Sequence, residues 1–155
     1  MSDFVIRPLA GELLEQLNNG TTVFNGNPVK SVRADASPGY PCRLSLKDAA
    51  PGEELFLVSH SPFTSANPYR ETGPVFIRKN AQTAKLVANQ LPEIVLARQV
   101  VVRAYDSTGT MLAAEPAQGS EAASQIRKFL ADPEVEFVHI RAALSGCFLC
   151  EARRA

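Results

Sequence analysis

The sequence has no tryptophan and only 7% aromatic residues, which leaves little material for a row of base-stacking side chains. It has no charge excess either, since 16 lysines and arginines are balanced by 16 aspartates and glutamates. A protein that grips nucleic acid through its phosphates carries a basic surplus, so nucleic acid is not an expected partner. No apolar run approaches the roughly 20 residues that a membrane-crossing helix requires, so no membrane partner is expected. Met1-Ser2-Asp3-Phe4 lacks the basic-then-apolar order of a secretory signal. Cysteine is scarce and odd in number, at Cys42, Cys147 and Cys150. Without an export signal, such a set reads as reduced thiols in the cytoplasm and not as a disulfide framework. The glycines Gly11, Gly20, Gly26 and Gly39 match neither GxGxxG nor the P-loop, which removes the commonest phosphate-cradling loops.

What is present is an ordinary globular composition, with 155 residues, 45% of them hydrophobic and 21% charged. That is enough apolar material for one core, so a single domain over residues 1–155 is expected. Phe4 to Arg7 reads as a short strand that Pro8 ends. Leu9, Leu13, Leu14 and Leu17 share one helical face, and Asn18-Asn19-Gly20 stops the helix. Strands follow at Lys30–Asp35, Arg43–Leu46, Leu55–His60 and Val75–Arg78. Asn80 suggests the cap of a helix with Ala84, Val87, Ala88 and Leu91 on its apolar face, closed by Pro92. Valine-rich Gln99–Tyr105 and Thr110–Ala114 flank Asp106-Ser107-Thr108-Gly109, a hairpin signal. Ser120 suggests the cap of a helix carrying Ile126, Phe129 and Leu130. Strands at Val135–Ala142 and Cys147–Arg153 are joined across Ser145-Gly146. The fold class expected is α+β, a mostly antiparallel or mixed sheet with about three helices packed on it.

One segment resists regular structure. Ser61 to Pro74 contains three prolines, and a loop of that length within a domain is uncommon and often functional. Its Tyr69, Arg70 and Glu71 could orient a polar or anionic ligand, because a guanidinium forks onto carboxylate or phosphate and a carboxylate can move a proton. The competing reading of Arg70 and Glu71 is a solvated or surface-paired couple. His60 ends the strand that feeds this loop. Arg43 and Arg103 lie in apolar, strand-like context, where a charge needs a carboxylate, carbonyls or a bound anion, with Glu71 and Asp106 as candidate partners.

Cys147-Phe148-Leu149-Cys150 has CxxC spacing, but in an extended strand residues three apart face opposite ways. There is no second CxxC, so a zinc site would need Cys42 and His60 or His139 as well; packed thiols are the simpler reading, and neither metal nor cofactor is expected. His139 lies near Cys147 in sequence, and the two residues form a candidate catalytic pair, thiol nucleophile and imidazole base. A core histidine is the plainer alternative.

Together these segments resemble a known family. Tyr40-Pro41-Cys42-Arg43, Asp48-Ala49-Ala50-Pro51-Gly52-Glu53, Ser61-Pro62-Phe63, Pro68-Tyr69, Gly73-Pro74-Val75-Phe76, Arg103-Ala104-Tyr105-Asp106, Val138-His139 and Gly146-Cys147 are similar to the domain of unknown function 1203 family. The resemblance implies a small, free-standing bacterial protein and carries no activity with it. Where members often have a second cysteine shortly after the first, this chain has Ser45, which weakens a four-cysteine metal site.

The leading expectation is a ligand-binding domain. Its pocket would lie between the 61–74 loop and the last two strands, with Arg43, His60, Tyr69, Arg70, Glu71 and Arg103 contacting a small polar or anionic ligand. An interaction module, such as a homodimer joined through exposed strand edges, is the alternative. A metal-binding or thiol-dependent enzyme using Cys147 and His139 is the third. Whether the protein is an enzyme is left open by the sequence.

Overall fold

The computed structural model describes residues 2–155. In chain order its elements are β1 (Phe4–Arg7), α1 (Gly11–Asn18), β2 (Val23–Phe24), β3 (Asn27–Pro28), β4 (Lys30–Arg33), β5 (Glu54–His60), β6 (Gly73–Arg78), α2 (Glu93–Leu96), β7 (Gln99–Tyr105), β8 (Met111–Gln118), α3 (Ala122–Leu130), β9 (Phe137–Ala142) and β10 (Phe148–Arg154). A five-stranded sheet runs β1-β10-β9-β7-β8, and a three-stranded sheet runs β4-β5-β6, with every pairing antiparallel. The α+β expectation holds at this level, with two main sheets in place of one.

Strand alternation explains how the larger sheet is covered. Val100, Val102 and Ala104 of β7 and Val138 and Ile140 of β9 point to one face and share a core with Ala122, Ile126, Phe129 and Leu130 of α3. The opposite face carries Arg103 and Tyr105 from β7 with Phe137, His139 and Arg141 from β9. Register sets Arg103 beside His139 and Tyr105 beside Phe137. Phe63, from the long loop, closes over the aromatic end of that face together with Tyr105 and Phe137. The smaller sheet has its own core, in which Leu17 of α1 meets Val58, Val75 and Ile77, with Leu9, Leu13 and Leu14 alongside. The leucine face of α1 is therefore the one the sequence marks. Gly20, at φ 94°, makes the left-handed turn that follows the helix.

Two local expectations fail for identifiable reasons, and one hairpin is additional to those expected. The helix over Asn80–Leu91 does not form. The backbone N–H of Ala84 donates to Leu44 O (2.9 Å) and that of Asn89 to Phe4 O (2.8 Å), so the segment spends its donors on tying the turn around Leu44 to β1. A helix begins only after Pro92, which stands in extended conformation at the N-cap of α2. Arg43–Leu46 is a tight turn, not a strand: Leu46 N–H returns to Cys42 O (2.9 Å), with Leu46 itself at φ 57°. The β2–β3 hairpin was not expected at all, although Asn25-Gly26, at φ 48° and 77°, is a strong two-residue turn signal.

Candidate functional site

The long loop returns across the charged face of the five-stranded sheet and is fastened at three points. Phe63 packs edge-on to Tyr105 (5.2 Å between centroids) and to His139 (4.9 Å). Asn67 donates to Thr108 O (3.2 Å) and Thr110 Oγ1 (2.9 Å) in the β7–β8 turn. Glu71 pairs with Arg103 Nη1 (3.4 Å) and, through the same oxygen, with Arg141 Nη2. The segment is thus anchored by one aromatic ring, one amide and one carboxylate.

Beside Glu71 lies a cavity of about 230 Å³. Its walls include His60, Glu71 and Thr72 from the β5–β6 connection, and Arg141, Ser145 and Cys147 from the β9–β10 hairpin. Gly146, at φ 74°, turns that hairpin, and Arg141 Nη1 donates to Gly146 O (3.1 Å), which fixes the guanidinium against the turn. The Arg141 side chain is only 8% exposed, and its Nε–H is buried without a hydrogen-bond acceptor. Desolvation pulls the Arg141 pKa down, and the neighbouring Glu71 carboxylate opposes that pull.

The charges around this cavity do not balance. Among the described residues, Glu71 is the carboxylate that faces both Arg103 and Arg141. The nearby Glu151 is taken by Arg153 (3.0 Å), and Glu136 also faces Arg153 (3.5 Å). Two guanidinium groups therefore share one carboxylate, leaving a local surplus of positive charge at the cavity wall.

The residues nominated from sequence are only partly gathered here. His60, Glu71 and Cys147 line the cavity, and Arg103 reaches it through Glu71. The His60 pKa is lowered, first by burial and then by the charge of Arg43. Arg43 sits behind the hairpin, in a second cavity of about 300 Å³ that Cys147 also borders. Its charge is met by carbonyls: Nε donates to Phe148 O (2.7 Å) and Nη1 to Pro41 O. Burial lowers its pKa to about 10. Asp106, the other suggested partner, is instead tied up within its own turn by Thr108 and Thr110. Tyr69 and Arg70 stay outside both cavities on the exposed crest of the loop.

His139 is fully buried in a cage of Phe63, Tyr105, Phe137 and Phe148, whose centroids lie 4.9–5.0 Å from the imidazole. Neither ring nitrogen has a hydrogen-bond partner, and the nearest carboxylate oxygen, on Glu151, is 3.9 Å from Nε2. Burial, followed by the charges of Arg141, Arg153 and Arg103, lowers its pKa to about 3. Such an imidazole is neutral and walled off. The Cys147 thiol points to Ser145 O (3.9 Å), and no hydrogen bond joins it to His139. Of the three free cysteines, Cys42 and Cys150 are buried and Cys147 is partly accessible. Burial pushes the Cys150 thiol far above its ordinary pKa. Among the described residues, no three His, Cys, Asp or Glu side chains converge as a metal site requires.

Arg141 is the site residue that the sequence reading passed over. It sits two positions after His139 on an apolar strand, and the expense of placing a charge there, already noted for Arg43 and Arg103, applies equally to it.

Similarity to characterised proteins adds no activity: no curated protein and no solved structure matches the chain. Residues 39–154 match the family described as "Protein of unknown function (DUF1203)", so the chain belongs to that family.

Proposed function

We propose that the protein binds a small anionic molecule in the cavity between the Glu71 loop segment and the β9–β10 hairpin. The observation that carries this reading is the pair Arg103 and Arg141 sharing the single carboxylate of Glu71, with a buried Arg141 Nε–H left unused at the wall. A buried donor without a partner costs about 1–3 kcal/mol, and a ligand acceptor would recover it. The volume sets the scale. At about 230 Å³ the cavity lies below the usual range of roughly 300–1,000 Å³ for drug-sized ligands, which favours a molecule of a few heavy atoms. Ser145, Thr72 and His60 supply neutral hydrogen-bonding groups around the anion.

A ligand that binds only the folded state raises the melting temperature in proportion to the logarithm of its concentration. Thermal melts with formate, acetate, succinate and phosphate should therefore show a rise for at least one anion at constant ionic strength. The rise should disappear in Arg141→Gln. No rise for any of the four anions would remove the proposal.

A further inference from the structure

Resting on that reading, we propose that the ligand group recognised is a carboxylate, and that Glu71 is its built-in competitor, a side chain occupying the arginine pair until an external carboxylate displaces it. The structure already holds a carboxylate at this position: one Glu71 oxygen meets both Arg103 Nη1 and Arg141 Nη2, which shows that the two guanidinium groups converge on a single oxygen. Planar guanidinium suits planar carboxylate. Glu71 is also the anchor most easily exchanged. Its side chain is 47% exposed, whereas Phe63 is buried among rings and Asn67 is held by two hydrogen bonds. Release of Glu71 would free Glu71 and Thr72, while Phe63, Asn67 and the Tyr69 and Arg70 amides that donate to Asn67 stay in place. The cavity adjoins the displaced side chain, so an incoming molecule can put one carboxylate oxygen where that of Glu71 was, turn the other to the unused Arg141 Nε–H, and place its remainder in the cavity. No other described carboxylate is free to take over, since Glu151 and Glu136 are engaged with Arg153.

Calorimetric titration of the wild type and of Glu71→Gln with succinate, with inorganic phosphate in parallel, tests this. Removal of a half-exposed competing charge should tighten succinate binding by roughly 1.5- to fivefold, as expected for an ion pair of that exposure. Succinate should bind better than phosphate to both proteins. In the wild type, succinate should also shift the Glu71 side-chain carboxyl carbon signal in NMR and leave the Phe63 ring signals unchanged. Equal succinate affinity in the two proteins would overturn the competitor role and leave anion binding intact. Preference for phosphate would overturn the carboxylate class. Absence of binding in both folded proteins would remove this inference together with the function it rests on. Should Glu71→Gln not fold, an unshifted Glu71 carboxyl signal in succinate-bound wild type would by itself refute the displacement.

Discussion

Replacing His139 with phenylalanine should flatten the acid side of the protein's stability curve. The imidazole is ringed by Phe63, Tyr105, Phe137 and Phe148, and the charged groups around it are Arg103 on β7, Arg141 on β9, and Arg153 and Glu151 on β10. Its folded pKa is about 3, against an ordinary 6.5. Above pH 6.5 the folded and unfolded states both hold it neutral and nothing is lost. As the pH falls below that value, the unfolded chain takes up the proton and the folded protein does not, so stability drops until the pH reaches the folded pKa. The full loss approaches about 5 kcal/mol, at about 1.4 kcal/mol per pH unit, and about 2.7 kcal/mol of it is present by about pH 4.5. His60, with a lowered pKa, and the carboxylates Glu53 and Asp106, with theirs lowered, contribute slopes of the same sign. Those groups are common to both proteins and cancel in the comparison. Urea unfolding of wild type and His139→Phe from about pH 7 to about pH 4.5 should therefore show the wild type losing about 2–3 kcal/mol more than the variant. Parallel curves would refute the neutral, walled-off histidine.

Other outcomes follow from single contacts. Phe63→Ala should cost about 3–5 kcal/mol in urea unfolding, because the ring packs against Tyr105, Phe137 and His139. Gly119→Ala should be among the most damaging small changes. Its Cβ would fall 1.9 Å from Val95 O and 2.6 Å from Arg98 O, backbone atoms that cannot rotate away, and a melting-temperature loss equivalent to at least about 2 kcal/mol is expected. A thiol reagent should label one cysteine quickly in the native protein, at Cys147, and all three after denaturation; rapid native labelling of Cys42 or Cys150 would contradict the burial described here.

The sequence made the strands of the larger sheet readable wherever alternation was strong. Val100, Val102 and Ala104 mark one face of β7, and the Asp106–Gly109 turn fixes its hairpin partner. It misled where local pattern and tertiary need diverge. Ala84, Val87, Ala88 and Leu91 have helical spacing, yet the backbone there bridges Leu44 and Phe4, and Val87 is left 72% exposed. The long loop stood out through its prolines, and Glu71 was recognisable as a partner for Arg103. The meeting of Arg103 with Arg141 depends on the register between β7 and β9, which residue spacing along one chain does not encode. Likewise, His139 and Cys147 are near in sequence, but strand alternation and the Gly146 turn send the imidazole into the aromatic cage and the thiol to the cavity mouth.

The most direct test of the central claim is an NMR titration of the arginine Nε–H resonances with succinate. Arg141 Nε–H is buried without an acceptor, so on binding its signal should move in the direction of a new hydrogen bond and saturate, with Arg103 shifting alongside it and Arg43 unmoved. An Arg141 signal that stays fixed while succinate binds elsewhere, or does not bind, would contradict the account.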